Sequence, residues 1–176
     1  MRVKVERNGD LPANFPFVAL LNHQSVFDPF IVLAFLDQRI AFLTKSTSFA
    51  HLIVRLALWL GRGIPTTRYQ TDPRVIRHMR TFLERGIPLG IFPEGERTWN
   101  GELGEFKYSV VRLLVKFRIP VVPIIIFNSF SLMPRWAGFP RRQQIELTVA
   151  APFCLVPKIF PCSELKLFLE SRFCEK

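Results

Sequence analysis

The sequence predicts an α/β fold: a single domain on a mixed, mostly parallel sheet with helices on both faces. Three observations lead there. Short apolar runs rich in β-branched and aromatic residues alternate with longer helix-like stretches, the pattern of a layered α/β protein. At 176 residues the chain is long enough for one sizeable core and too short for two comfortable domains, so residues 1–176 form one unit. An apolar fraction of 49%, with 18 Phe against 2 Tyr, argues against disorder.

Phe17-Val18-Ala19-Leu20-Leu21 reads as a buried strand. Asp28-Pro29 then reads as an N-cap followed by proline at the first helical position, opening a helix through Asp37. Ile40 to Leu43 is a second strand. Ser48 to Leu60 reads as a helix, apolar nearly all round except at His51 and Arg55, and ends at Gly61. Asp72-Pro73 repeats the cap signal, and the helix it opens carries Val75, Ile76, Met79, Phe82 and Leu83 on one face and Arg74, Arg77, Arg80 and Glu84 away from it. Gly86 closes that helix.

Leu89 to Phe92 is a strand that delivers Glu94-Gly95-Glu96-Arg97 at its C-terminal end. A helix around Tyr108 to Phe117 leads into the strand Val121 to Phe127. Gln144 to Ala150 alternates polar and apolar residues as an edge strand would, and Ser163 to Phe173 is a short terminal helix. The sheet so predicted has five or six strands.

Lys and Arg number 24 against 14 Asp and Glu, giving a net charge of +10. Such a balance predicts an anionic partner: nucleic acid, an acidic membrane surface or a phosphorylated substrate. Excess Phe favours the membrane surface, because apolar side chains gain nothing from lying along a phosphate backbone. Nucleic acid is disfavoured because the Phe residues fall in apolar runs and do not interleave with basic residues as stacking platforms.

Cys154, Cys162 and Cys174 match neither a metal knuckle nor a disulfide framework and read as reduced packing residues of a cytosolic setting. The start of the chain, Met1 to Arg7, is charged throughout and is not a signal peptide. No apolar run approaches the ~18–20 residues needed to span a bilayer, so contact with a membrane is expected to be peripheral.

In open α/β sheets, ligands bind outside the carboxyl ends of the strands. Asn22-His23, Lys45 and Pro93 to Arg97 all fall there. His23 and Asp28 lie five positions apart. A carboxylate bonded to one ring nitrogen fixes the tautomer and leaves the other nitrogen to take a proton from a hydroxyl. That pairing depends on the turn between the two residues, since in one continuous helix they would face different ways. Arg97 follows a glycine after a buried strand, and a guanidinium fork suits phosphate. Arg68 is a second candidate cation. Glu94 is read as a partner for a nearby cation or backbone donor rather than as a proton carrier.

Other chemistries find little support. There is no G-x-S-x-G elbow around a serine, no cysteine near His23, and three scattered histidines offer no paired metal-ligand spacing, so no metal is expected. Gly61-Arg62-Gly63 lacks the Gly-Lys-Ser/Thr of a phosphate loop.

Taken in order, these residues resemble the PlsC-type glycerophospholipid acyltransferase family. Asn22-His23 through Asp28 matches its NHxxxxD block. Gly63-Ile64-Pro65-Thr66-Thr67-Arg68 looks like the second block, with Lys45 where the family often has a lysine. Phe92 to Arg97 matches the FPEGTR block, followed by Gly101-Glu102-Leu103 and Phe106-Lys107, and Ile119 to Pro123 matches the fourth. The motif-bearing core spans about residues 10–150.

The resemblance implies the PlsC-type fold and transfer of an acyl group from acyl-CoA or acyl carrier protein to a hydroxyl of a lysophospholipid, most directly 1-acylglycerol 3-phosphate. The donor is a co-substrate, so no cofactor is expected. His23 would be the general base and Asp28 its orienting carboxylate, with no covalent intermediate. Arg68, Glu94, Gly95 and Arg97, with Lys45, would form the substrate-binding set, the cations meeting the acceptor phosphate. The expected place of work is the cytoplasmic face of a membrane, with attachment peripheral or supplied by residues outside this chain.

Three features depart from the family. Glu96 stands where a small hydroxyl residue is usual, Tyr108-Ser109 follow Phe106-Lys107 where glycine is common, and no hydrophobic N-terminal anchor is visible. The segment Phe130 to Arg142 mixes bulky apolar residues with cations, as an interfacial segment would. The helix from Ser48 to Leu60 is a second candidate for membrane contact. Alternatives to the leading reading are the same transfer to glycerol 3-phosphate or another lysolipid, or a non-catalytic lipid-binding protein with this fold.

Overall fold

The computed structural model describes residues 2–12, 15–36, 38–45, 64–66, 73–155, 170, 171 and 173, with the backbone alone for 44, 45 and 64–66. The elements run β1 (Arg2–Arg7), β2 (Val18–Leu21), α1 (Asp28–Phe35), β3 (Ala41–Lys45), β4 (Ile64–Thr66), α2 (Pro73–Glu84), β5 (Leu89–Ile91), α3 (Tyr108–Phe117), β6 (Val121–Phe127), α4 (Ser129–Leu132) and β7 (Gln144–Val149). The helix expected over Ser48–Leu60 and nearly all of the one expected over Ser163–Phe173 lie outside the described residues.

Seven strands form one sheet among the described residues, in the order β1-β7-β6-β2-β5-β3-β4. Every adjacent pair is parallel except β6 and β7. The four residues of β2 are all buried, because helices cover both faces of a parallel sheet and leave no polar side. Val18 and Leu20 pack with Met79 and Leu83 of α2 and with Val111 and Leu114 of α3. Ala19 and Leu21 face the other way, against Ile31 and Val32 of α1.

β6 is central although it contains Pro123. The oxygen of Pro123 accepts from the Ala150 N–H at 2.9 Å, just past the point where the β6–β7 ladder begins at Ile124. Its missing N–H therefore points toward the end of that ladder, and the pairing with β2 loses nothing.

The structure differs from the sequence reading at four points. The charged leader Arg2–Arg7 is a strand: Val3 and Val5 turn toward the core and the charges alternate with them outward. β4, only three residues long, was not expected either. β7 is not an edge, because β1 pairs with it in parallel from Arg2↔Gln144 to Arg7↔Val149. Finally, Asp28 does not cap its helix. The N-cap is Phe27, no side chain caps it, and the helix ends at Phe35, with Leu36 as the extended C-cap, before Asp37.

The chain leaves β2 through α1 toward β3 on one side, and leaves β5 through α3 toward β6 on the other. β2 and β5 are neighbours, so their carboxyl ends open onto a crevice where the connections diverge. That is where an open α/β sheet binds its ligands.

Candidate active site

β2 ends at Leu21, and the side chain of Asn22 continues its ladder. Asn22 Nδ2 donates to the Ile126 oxygen at 2.9 Å, and the Ile126 N–H donates to Asn22 Oδ1 at 2.8 Å. This amide pins the start of the next loop to β6. His23 follows with its backbone held on both sides by the loop after β5. Its N–H donates to Glu94 Oε1 at 2.8 Å, and its oxygen accepts from the Thr98 N–H at 2.9 Å.

The His23 ring meets Asp28 through Nδ1, 2.9 Å from Oδ2. Residues 24–27 form a turn and not a helix, which is why a spacing of five brings the two side chains together. The same Oδ2 accepts the N–H groups of Gln24 and Ser25, both at 2.7 Å. Asp28 is fully buried, and its other oxygen has no hydrogen-bond partner among the described residues. The carboxylate is thus spent on shaping the turn and orienting the ring, in place of the capping role read from sequence.

A carboxylate only accepts, so Nδ1 carries the ring proton and Nε2 presents its lone pair. The ring lies on Phe92, with centroids 4.0 Å apart and planes 22° off parallel. Phe92 in turn stacks on Phe42 of β3 at 5.8 Å. The imidazole therefore has one orientation, fixed at its edge by a charge and on its face by a ring.

Glu94 is buried and bridges two backbone donors, the N–H of His23 and that of Gly104, the latter at 2.9 Å. Burial pushes its carboxyl up to about 7, against the pull of those two N–H groups, with the Asp28 charge adding a little upward. Its contacts are with backbone, in line with the sequence reading of a partner for donors.

Gly95 turns the chain at φ +75°, with its N–H donating to the Phe92 oxygen at 3.0 Å. A side chain there would be strained by that φ and would strike the amine end of Lys107, which lies against the glycine. Arg97 is partly exposed two residues on. Lys45 closes β3 at the same end of the sheet, with only its backbone described, and Arg68 lies outside the described residues.

Lys107 is the cation that residue-by-residue reading passed over, since it was noted only as part of a matching block. It is the N-cap of α3. A positive side chain there opposes the helix dipole, and that misfit is the signal which marks it in the sequence. Arg135 is the second omission. Its Nη1 reaches Glu96 Oε2 at 3.3 Å and the Arg97 oxygen at 3.4 Å, so the unusual acid at position 96 has a cation beside it.

Among the described residues no three His, Cys, Asp or Glu side chains gather as metal ligands. No helix there is long and apolar enough to cross a membrane.

The fold and these blocks have known counterparts. The crystal structure of the 1-acyl-sn-glycerophosphate (LPA) acyltransferase PlsC from Thermotoga maritima is similar, with a TM-score of 0.82 and 26% identity, over 98% of this chain and 69% of that one. The 1-acyl-sn-glycerol-3-phosphate acyltransferase alpha of Mus musculus is 29% identical over 84% of this chain and 54% of its own length. The chloroplastic 1-acyl-sn-glycerol-3-phosphate acyltransferase BAT2 of Brassica napus is 31% identical over 68% of this chain and 35% of its own length. The chain thus spans about half or less of the length of these two relatives. The acyltransferase family model matches residues 2–127, a stretch that takes in β1 through β6 and both loops that hold His23, and by that match the chain belongs to the acyltransferase family.

Proposed function

We propose that this chain transfers a fatty acyl group from an acyl-CoA or acyl carrier protein thioester to the free hydroxyl of a lysophospholipid, with 1-acylglycerol 3-phosphate as the acceptor. One observation carries the reading: the 2.9 Å bond from Asp28 to His23 Nδ1, which makes Nε2 the proton acceptor of the ring.

Nε2 takes the hydroxyl proton as the acceptor oxygen attacks the thioester carbonyl. The tetrahedral intermediate collapses by breaking the carbon–sulfur bond. The imidazolium, stabilised by Asp28, returns the proton to the departing thiolate. No enzyme side chain is acylated, so the ring ends each cycle in the tautomer it began with. Arg97 carries the acceptor phosphate with Lys107 across the Gly95 turn, because two cations on one glycine turn form a fork for a dianion. Arg68 and Lys45 join this set on the strength of the family resemblance. Glu94 serves the site through the His23 backbone.

The test is turnover of labelled acyl-CoA with a panel of lysolipids and glycerol 3-phosphate, wild type beside His23→Ala. General-base assistance is worth about 10²- to 10⁴-fold in rate, so the variant should lose turnover by that factor while its acceptor KM stays close to wild type. Equal product from both proteins would remove His23 from the role assigned to it.

A further inference from the structure

We propose that the segment from α4 to Arg142, together with Trp99, is a docking face for an anionic lipid surface. The acyl-transfer reading supplies what the docking is for, an acceptor that resides in a membrane. The geometry of the face stands apart from it.

Trp99, Trp136 and Phe139 are 62%, 62% and 85% exposed, whereas Phe17, Phe42, Phe106 and Phe173 are buried in the core. They belong to one region. The Arg135 guanidinium sits 4.2 Å over the Trp99 ring, and Trp136 packs edge-on against Phe130 at 5.4 Å. Arg141 and Arg142, both exposed, follow Phe139 closely in the chain. Exposed apolar rings rimmed by cations mark an interaction surface. A lipid surface satisfies both parts, since indole and phenyl rings settle at the level of the headgroups while arginines meet phosphates. Nucleic acid would meet the arginines and leave Phe139 in water. The net charge of +10 draws the whole chain toward the same partner.

The face is stitched to the loop that carries His23. Ser129 Oγ and the Phe130 N–H donate to Gln24 Oε1 at 3.3 and 3.4 Å. Gln24 Nε2 donates to the Gly101 oxygen at 2.8 Å, and Ser25 Oγ to the Met133 oxygen at 3.3 Å. Arg135 ties it also to Glu96 and to the Arg97 oxygen. Rings seated among headgroups therefore bring the His23 loop to the depth where an acceptor's hydroxyl and phosphate lie.

The experiment is co-sedimentation of the full chain with phosphatidylcholine vesicles and with phosphatidylcholine–phosphatidylserine vesicles, at low and high salt. Trp136→Ala/Phe139→Ala and Arg141→Ala/Arg142→Ala are compared with wild type. Each arginine near an anionic surface adds about five-fold in affinity, so the double arginine variant should bind the mixed vesicles about 25-fold more weakly and show a weaker salt dependence. The double ring variant should lose affinity on both kinds of vesicle. Turnover of a monodisperse short-chain acceptor should be wild-type in both variants, which also reports that they are folded.

Wild-type vesicle affinity in the two variants, or no wild-type binding at all, would overturn the docking face. Failure of the wild type to acylate the short-chain acceptor would overturn the acyl-transfer reading and leave the vesicle result to stand alone.

Discussion

At the scale of single residues, the site depends on backbone held by carboxylates. Asp28 gathers three donors on one oxygen, and Glu94 gathers two across the crevice. Glu94 is the one with a pH signature. Its carboxyl stands at about 7 in the fold against an ordinary 4.5, so the folded chain holds that proton more tightly than the unfolded chain. The contribution is greatest below about 4.5 and declines as pH rises toward 7. Glu94→Gln keeps the shape, cannot titrate, and sets an amide N–H₂ against one of the two backbone donors. Denaturant unfolding followed from pH 4 to 8 should show the variant less stable at pH 4 by about 1–3 kcal/mol, with the downward slope between 4.5 and 7 gone, so that the gap closes as pH rises. Parallel curves for the two proteins would show that this carboxyl does not titrate in that window. The sequence named both carboxylates and the kind of partner each takes, but not that Asp28 also holds the Gln24 and Ser25 N–H groups nor which backbone donors Glu94 meets, since these are set by the turn at residues 24–27 and by loops far apart in the chain.

At the scale of elements, three rings relay the position of β3 to the loop that carries His23. Gly90 of β5 lies so close under Phe42 that any Cβ would enter the ring. Phe42 stacks on Phe92, and Phe92 supports His23. Gly90→Ala should therefore act twice. Overpacking in this central strand lowers stability by about 1–3 kcal/mol, and the displaced rings shift the imidazole, lowering kcat by up to about 10²-fold with little change in KM. A stability loss with kcat intact would show that the ring stack does not position the base. Strands such as Val18–Leu21 and helices such as Tyr108–Phe117 were legible because burial on both faces or on one stripe writes a period into the chain. β1 was hidden by its charges, although Arg2-Val3-Lys4-Val5-Glu6-Arg7 alternates as a half-buried strand does. β4 is too short to carry any period. The Gly90–Phe42 contact leaves no local trace, because it joins residues that only the sheet order brings together.

At the scale of the whole molecule, what matters is which strands carry the chemistry and which close the edges. β2 and β5, the fourth and fifth of seven in the sheet order, hold His23 and Glu94 at their carboxyl ends. β1 is at the far edge, three strands from β2, and there it converts β7 from an edge into an interior strand. Strand order is a non-local property, which is why Gln144–Ala150 reads as an edge in isolation: its alternation reports one polar face and says nothing of a second neighbour. The arrangement separates stability from catalysis. Val3 and Val5 are partly buried against the core cluster that contains β7 and α1, so Val3→Ala/Val5→Ala removes apolar burial worth about 2 kcal/mol at half exposure. A chain of this length loses about 2–4 °C in Tm for each kcal/mol, giving an expected fall of about 4–8 °C. Turnover at 25 °C should match wild type, because two strands, β7 and β6, stand between β1 and the strand that leads to His23. Melting curves run beside initial rates on the same samples decide the matter, and a loss of rate in step with the loss of Tm would mean that the sheet transmits strain from its edge to its centre.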